Sequence, residues 1–137
     1  MFCPNCWIND PNGFIWYKGQ YHLFYQYFPY ALQWGRMHWG HAVSKDLVNW
    51  EEKGIALYPT KTDDRSGCFS GSAVEQDGTL YLFYTGVNYL KENPEDINQR
   101  RNDQFLAAQM MISSDDGMTF DNVKKKDGHS THYRRTD

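Results

Sequence analysis

Leu23-Phe24-Tyr25 recurs as Leu82-Phe83-Tyr84, 59 residues further on, and each copy follows a Gly-bearing turn, Lys18-Gly19 or Asp77-Gly78. Downstream, Asp46-Leu47-Val48-Asn49-Trp50 returns as Asp116-Gly117-Met118-Thr119-Phe120, at a spacing of 70. The difference between the two spacings gives the second copy about 11 extra residues, which the polar stretch 88–104 accommodates. A repeat of roughly 50–60 residues containing several short strands fits the blades of a β-propeller better than a sandwich. The two copies are therefore expected to be equivalent, with the Leu-Phe-Tyr segments as inner strands of adjacent blades. A closed propeller takes about four to eight blades, so two form only part of a ring.

The local pattern agrees with an all-β fold. Gly13–Tyr17 and Tyr21–Tyr27 flank Lys18-Gly19-Gln20 and read as a hairpin. Further short runs at His41–Ser44, Gly71–Val74, Leu80–Thr85 and Gln109–Ser113 are each bounded by turn formers. The best helical candidate, Glu95 to Ala108, is polar all round its first half and reads as a surface insertion.

Aromatic residues make up 17% of the 137-residue chain, too many for a disordered segment and suited to sheets and sugar-binding surfaces. The formal net charge of −3 offers no basic excess for a phosphate backbone, so no nucleic-acid partner is expected. No apolar run is long enough to span a membrane. Met1-Phe2-Cys3-Pro4-Asn5 lacks a basic n-region and an apolar h-region, which predicts a cytoplasmic protein or one whose N-terminus starts further upstream. Cys3, Cys6 and Cys68 are an odd set, read as incidental thiols in a reducing compartment.

The densest unusual segment is Trp7-Ile8-Asn9-Asp10-Pro11-Asn12-Gly13. Pro11 biases Asp10 toward extended backbone, and Asn12-Gly13 permits a turn into the strand. Asp10 is then either a turn-initiating aspartate or a carboxylate held at the mouth of a pocket, with Trp7 as apolar wall and Asn9 as a hydrogen-bonding amide. His38 and His41 have no carboxylate or cysteine at metal-ligand spacing, so no metal and no cofactor are expected.

The whole string resembles the nucleophile motif of glycoside hydrolase family 32, the invertases, sucrose-6-phosphate hydrolases and fructanases. Four further segments are similar to family motifs, in the family's order. They are Phe24-Tyr25-Gln26-Tyr27-Phe28-Pro29 (with Phe28 where Asn is usual), Trp34-Gly35-Arg36-Met37-His38-Trp39-Gly40-His41-Ala42, Ser44-Lys45-Asp46-Leu47-Val48-Asn49-Trp50 and Cys68-Phe69-Ser70-Gly71-Ser72-Ala73. The resemblance implies an all-β chain forming the first two blades of a five-bladed β-propeller. Residues 1–137 would be a partial N-terminal propeller domain, without the family's C-terminal β-sandwich.

The resemblance also implies roles. Hydrolysis of a β-fructofuranosyl bond in sucrose, sucrose 6-phosphate or a fructan would retain configuration. Such a reaction uses two carboxyl groups about 5–5.5 Å apart, one as nucleophile and one as acid/base. Asp10 would be the nucleophile. Asn9, Gln26 and Ser70 would bond sugar hydroxyls, and Trp7, Trp34, Trp39 and Phe69 would wall the pocket, with hairpin core as the alternative place for these aromatic rings, above all for Trp39. Arg134 looks like the Arg of the family's Arg-Asp-Pro motif, yet Arg135 and Thr136 stand where Asp and Pro are expected. The Glu-Cys motif that supplies the acid/base does not occur in these residues. The chain by itself is accordingly expected to be inactive and poorly soluble.

Two other classes compete. A sugar-binding module without catalysis would use the same aromatic and amide groups. A thiol or metal protein would rest on Cys3-Pro4-Asn5-Cys6, but this pair precedes a strand rather than opening a helix, and only Cys68 remains as a further ligand.

Overall fold

A computed structural model describes residues 5–91, 95 and 104–134, with side chains left out at 104 and 127–134. Among the described residues, eight strands form two four-stranded antiparallel sheets. The first sheet holds β1 (Trp7–Tyr17), β2 (Gln20–Phe28), β3 (His38–Ser44) and β4 (Glu51–Leu57), in that order. The second repeats the order with β5 (Gly67–Gln76), β6 (Thr79–Tyr89), β7 (Gln104–Ser114) and β8 (Lys126–Arg134). A short 3-10 turn, Thr62–Asp64, lies between them.

The repeat seen in the sequence is a repeat in space. Leu23-Phe24-Tyr25 pairs with Ala42, His41 and Gly40, and Leu82-Phe83-Tyr84 pairs with Ile112, Met111 and Met110 in the same register. Both segments sit in the second strand of their sheets, one place in from β1 and β5, and they lie in different sheets. Both hairpin turns carry two successive positive φ angles, 46° and 83° at Lys18-Gly19 and 52° and 84° at Asp77-Gly78. That is the type I′ geometry whose twist matches the flanking strands.

The loop after the third strand is also duplicated. The Asp46 carboxylate accepts from the N–H groups of Val48 and Asn49, and Asp116 accepts from those of Met118 and Thr119. Ser44 and Ser114 hydroxyls bond the same positions in the two turns. These bonds, first among them the N–H of Asn49 and of Thr119, hold both carboxyls well below the ordinary aspartate range. Position 47 is Leu at φ 66°, and its counterpart Gly117 has φ 73°. A Cβ at Gly117 would lie 2.8 Å from the Tyr17 ring, so only there is glycine sterically required.

β2 alternates half-buried and buried residues throughout, which puts His22, Phe24, Gln26 and Phe28 on the face toward the second sheet. Phe24, Trp39 and Leu57 of the first sheet meet Leu82, Tyr84 and Met110 of the second in one core. β1 lies against β5, so these are the neighbouring strands of two consecutive blades. Glu95 to Ala108 is not a helix where described: β7 runs from Gln104 and pairs with β6 through Ala108, because Phe105-Leu106-Ala107-Ala108 completes that ladder. The insertion between Tyr89 and Gln104 falls where the sequence puts it, but most of it lies outside the described residues.

His22 and His41 form a buried pair, Nδ1 to Nε2 2.9 Å, with His22 Nε2 3.1 Å from the Tyr17 carbonyl. Burial, then the charge of His22 and that of Lys53, bring His41 down to about 3, and burial lowers His22 as well. A histidine held below its unfolded value near 6.5 takes up its proton more readily in the unfolded chain. Stability from this pair is complete above pH 6.5 and declines as pH falls toward 3. From His41 alone the loss by pH 5 should be about 2 kcal/mol, at 1.36 kcal/mol per unit. Urea titrations of the chain between pH 8 and 4.5 should show that slope, and His41→Gln should flatten it. An unchanged slope in the variant would assign the acid sensitivity elsewhere.

Candidate active site

Asp10 stands out by its backbone. In the β1–β2 ladder Asn9 pairs with Gln26 and Pro11 with Tyr25, so Asp10 is the extra residue of a β-bulge. Its φ is 24°, a left-handed value that costs a non-glycine residue about 1–2 kcal/mol. Its side chain is exposed, and no described residue bonds its carboxylate. Asp46 and Asp116 show what turn-forming aspartates do in this chain: each carboxylate collects backbone N–H bonds. Asp10 does none of this, so turn chemistry does not account for it, and its strain is of the kind that clusters at functional sites.

The bulge re-aims the chain next to a row of polar side chains. Asn9 lies opposite Gln26, and Gln26 lies opposite Trp39. Trp7 donates its indole N–H to Asn9 Oδ1 at 2.7 Å, which fixes the amide with its NH2 group free for another acceptor. Gln26 is 3% exposed, and its Nε2 has no partner. A buried amide donor without an acceptor costs stability on the order of 1–3 kcal/mol and calls for a bound group or water.

The second blade delivers the rest. Phe69 and Ser70 form a bulge in β5 between Cys68, opposite Gly86, and Gly71, opposite Tyr84. Since Pro11 faces Tyr25 as Gly71 faces Tyr84, Ser70 is the repeat counterpart of Asp10. Three bonds dock this segment on the first blade. Cys68 N–H donates to the Met37 carbonyl at 2.8 Å, Trp39 Nε1–H to the Phe69 carbonyl at 3.0 Å, and Gly71 N–H to Asn12 Oδ1 at 3.4 Å. Trp34 packs edge-on against Phe69, with ring centroids 5.5 Å apart, and both rings are half-buried. A Cβ on Gly71 would strike the Phe83 carbonyl at 1.8 Å, which explains the glycine after Ser70.

The structure thus sets Asn9 opposite Gln26 with Trp7 bonded to Asn9, and docks the Phe69–Ser70 bulge on the first blade through Trp39 and Asn12, with Trp34 against Phe69. Trp39 is different. It is fully buried and its indole N–H is taken by Phe69, so it ties the blades together and offers no wall face. Arg134 ends β8 opposite Gln104; its side chain and residues 135–137 lie outside the described residues.

The cysteines divide. Cys68 is a free thiol in the core, pushed well above its ordinary pKa by burial, and is inert. Cys6 is disulfide-bonded, contrary to the expectation of free thiols at Cys3-Pro4-Asn5-Cys6; Cys3 lies outside the described residues. Among the described residues no group of three or more His, Cys, Asp or Glu could hold a metal ion, and no helix is long and apolar enough to cross a membrane.

One constellation escaped the sequence reading. Asp64 and Lys125 form an ion pair at 2.6 Å with both side chains wholly buried. Tyr84 OH donates to the same carboxylate at 2.8 Å, and the N–H groups of Thr60 and Lys61 donate to its other oxygen. Burial pushes the Asp64 carboxyl up, but the bond and charge of Lys125 outweigh it and leave it lowered. It is a structural lock beneath the second blade. Nothing in the spacing of residues 64 and 125 announces it.

Comparison with known proteins gives this geometry a context. The sequence profile of the glycosyl hydrolases family 32 N-terminal domain matches residues 2–134. A sucrose-6-phosphate hydrolase of Zymomonas mobilis is 51% identical over 115 residues, covering 83% of this chain and 21% of that protein. A levanase of Bacillus subtilis is 59% identical over 94 residues, 68% of this chain and 13% of its own. The structure of a family 32 β-fructofuranosidase from Bombyx mori superposes with a TM-score of 0.72 at 41% identity, over 92% of this chain and 24% of that one. A mutant of the Bombyx enzyme has been solved in complex with sucrose. The chain spans about a fifth of the length of the Zymomonas relative. With a profile match over nearly every residue and the two-blade architecture in common, the chain belongs to glycoside hydrolase family 32, to the part of it that forms the N-terminal domain.

Proposed function

We propose that these residues form the nucleophile side of a retaining β-fructofuranosidase site, with Asp10 as the attacking group. The observation that carries the reading is an exposed carboxylate on a strained bulge, bonded to no described residue, beside an amide row whose Gln26 Nε2 lacks an acceptor. Fructose hydroxyls are acceptors and donors of the right kind for Asn9, Gln26 and Ser70, and the Trp7, Trp34 and Phe69 rings supply apolar surface. In the reaction the Asp10 oxygen bonds the anomeric carbon as the C–O bond to the leaving group breaks. The leaving oxygen takes a proton from a second carboxyl group, and water then releases fructose with the proton flow reversed. Relatives named for sucrose 6-phosphate and for levan support a fructose-containing substrate without choosing between them.

A non-catalytic sugar-binding role uses the same aromatic and amide groups and is separated by turnover. In a chimera, residues 7–120 replace the matching segment of the Zymomonas sucrose-6-phosphate hydrolase. It should release fructose from sucrose and sucrose 6-phosphate. The 137-residue chain alone should release none, because the acid that protonates the leaving oxygen typically contributes about 10²–10⁴-fold and is not in these residues. A folded chimera that binds sucrose without hydrolysing it would favour the binding role. A cytoplasmic location suits a phosphorylated substrate, which does not cross membranes unaided. The Cys6 disulfide favours an oxidising compartment instead. Fractionation with alkylation of free thiols distinguishes the two.

A further inference from the structure

Asn12 carries a buried amide that the fold uses only in part. It pairs with Phe24 just after the Asp10 bulge, and a second irregularity of β1 follows between Asn12 and Ile15. Asn12 is 4% exposed. Its Oδ1 accepts the Gly71 N–H at 3.4 Å, and no described residue accepts from its Nδ2. A buried donor without an acceptor costs stability, and a leucine would fill a similar volume without that cost. Packing therefore does not account for the amide, but its oxygen does. An aspartate would supply the same acceptor only by burying a charge with no cation beside it. The amide supplies the acceptor uncharged and leaves its NH2 group over.

That acceptor joins two bulges. On one side Pro11, whose ring fixes its φ, links Asn12 stiffly to Asp10. On the other side the bond ends on Gly71, the residue after Ser70. Gly71 has little room to move, since a Cβ there would overlap the Phe83 carbonyl of β6. The next residue of β1, Gly13, also lies close to β5: a Cβ on it would stand 3.1 Å from Ala73 Cβ. The other two bonds that dock the Phe69–Ser70 segment come from Met37 and Trp39. The bond from Asn12 is the one of the three that starts on the strand carrying Asp10. We propose that Asn12 is a positioning residue: its amide oxygen holds the Ser70 bulge of the second blade in register with the Asp10 bulge of the first, without touching sugar. The proposal rests on the reading of Asp10 and Ser70 as parts of one site. Misplacing a reacting group by about 1 Å can cost about 10²-fold in rate, so register between the two bulges governs turnover.

A double-mutant cycle in the chimera tests this. Asn12→Leu keeps the volume and removes the acceptor, and kcat/KM for sucrose should fall about tenfold or more. Ser70→Ala removes the hydroxyl that the bond positions and should cost a similar factor. The double variant should lie within about twofold of the worse single variant, because both losses pass through one contact. A merely structural role multiplies instead, because loss of folded enzyme scales whatever activity remains. Two losses of about tenfold then combine to about a hundredfold, and that result would overturn the proposal. So would an Asn12→Leu chimera within about threefold of its parent. Should Asn12→Leu lose its sheet circular dichroism, Asn12→Ser repeats the cycle. Serine stands at the matching place of β5, where Ser72 pairs with Phe83 as Asn12 pairs with Phe24, and its shorter side chain falls short of Gly71. The cycle reads kcat/KM whichever carboxylate attacks. In a chimera that binds sucrose without turnover it reads the dissociation constant of sucrose. Failure of the nucleophile reading shows itself separately, as turnover that survives Asp10→Asn.

Discussion

Asp10→Asn in the chimera should lower turnover of sucrose by on the order of 10³-fold or more, since the covalent route disappears with its nucleophile. Affinity for sucrose should change little, because the amide keeps the shape of the side chain and Asn9, Gln26 and Ser70 are untouched. Melting temperature should also stay within a degree or two. The carboxylate bonds no described residue and is exposed, so its removal breaks no structural contact. The same change at Asp46 or Asp116 should do the reverse, lowering stability with no direct effect on chemistry, because those carboxylates organise their turns. A loss of both turnover and stability at Asp10 would mean that the bulge is structural.

The largest effect on stability should come from Lys125→Met. It leaves the Asp64 carboxylate wholly buried without its cation, and breaking such a pair costs about 3–5 kcal/mol. Asp64→Asn in the Lys125→Met background should recover part of that loss. A neutral amide carries a smaller desolvation cost; its oxygen still accepts from the N–H groups of Thr60 and Lys61, and its NH2 group can donate to the Tyr84 hydroxyl oxygen. Because Asp64 is lowered in the folded chain, its contribution is complete above its unfolded value near 3.9 and fades only as pH drops below that. It therefore lies in a more acidic window than the His22–His41 pair. Urea unfolding at pH 7 and pH 4.5 separates the two. A Lys125→Met chain within 1 kcal/mol of the parent would show that water reaches Asp64.

The strands legible in the sequence were those with alternating or apolar faces. β2 could be read because every second residue is buried. β4 and β8 carry no such pattern. Glu51-Glu52-Lys53-Gly54 and Lys126-Asp127-Gly128 are polar, because both strands are sheet edges where charge discourages pairing with another chain. The start of β7 was hidden by its polar neighbourhood in the insertion. At the site, the motif string located Asp10, Asn9 and Gln26, but bulge geometry, not residue type, distinguishes Asp10 from the aspartates of the duplicated loop. By residue type Trp39 fits both a pocket wall and a hairpin core, and its full burial and indole bond to the Phe69 carbonyl put it in the core between the blades. The Asp64–Lys125 pair joins residues 61 positions apart, and its partners come from the linker, β6 and the β7–β8 connection. No local pattern encodes such a contact.

The central claim, that the Asp10 oxygen becomes bonded to fructose, has a direct test. The chimera is quenched with acid during sucrose turnover, digested, and its peptides are weighed and fragmented. The account predicts a fructosyl adduct on the peptide containing Trp7-Ile8-Asn9-Asp10, localised to Asp10, and its absence from Asp10→Asn. An adduct on another carboxylate, or full turnover by Asp10→Asn with no adduct anywhere, would contradict it.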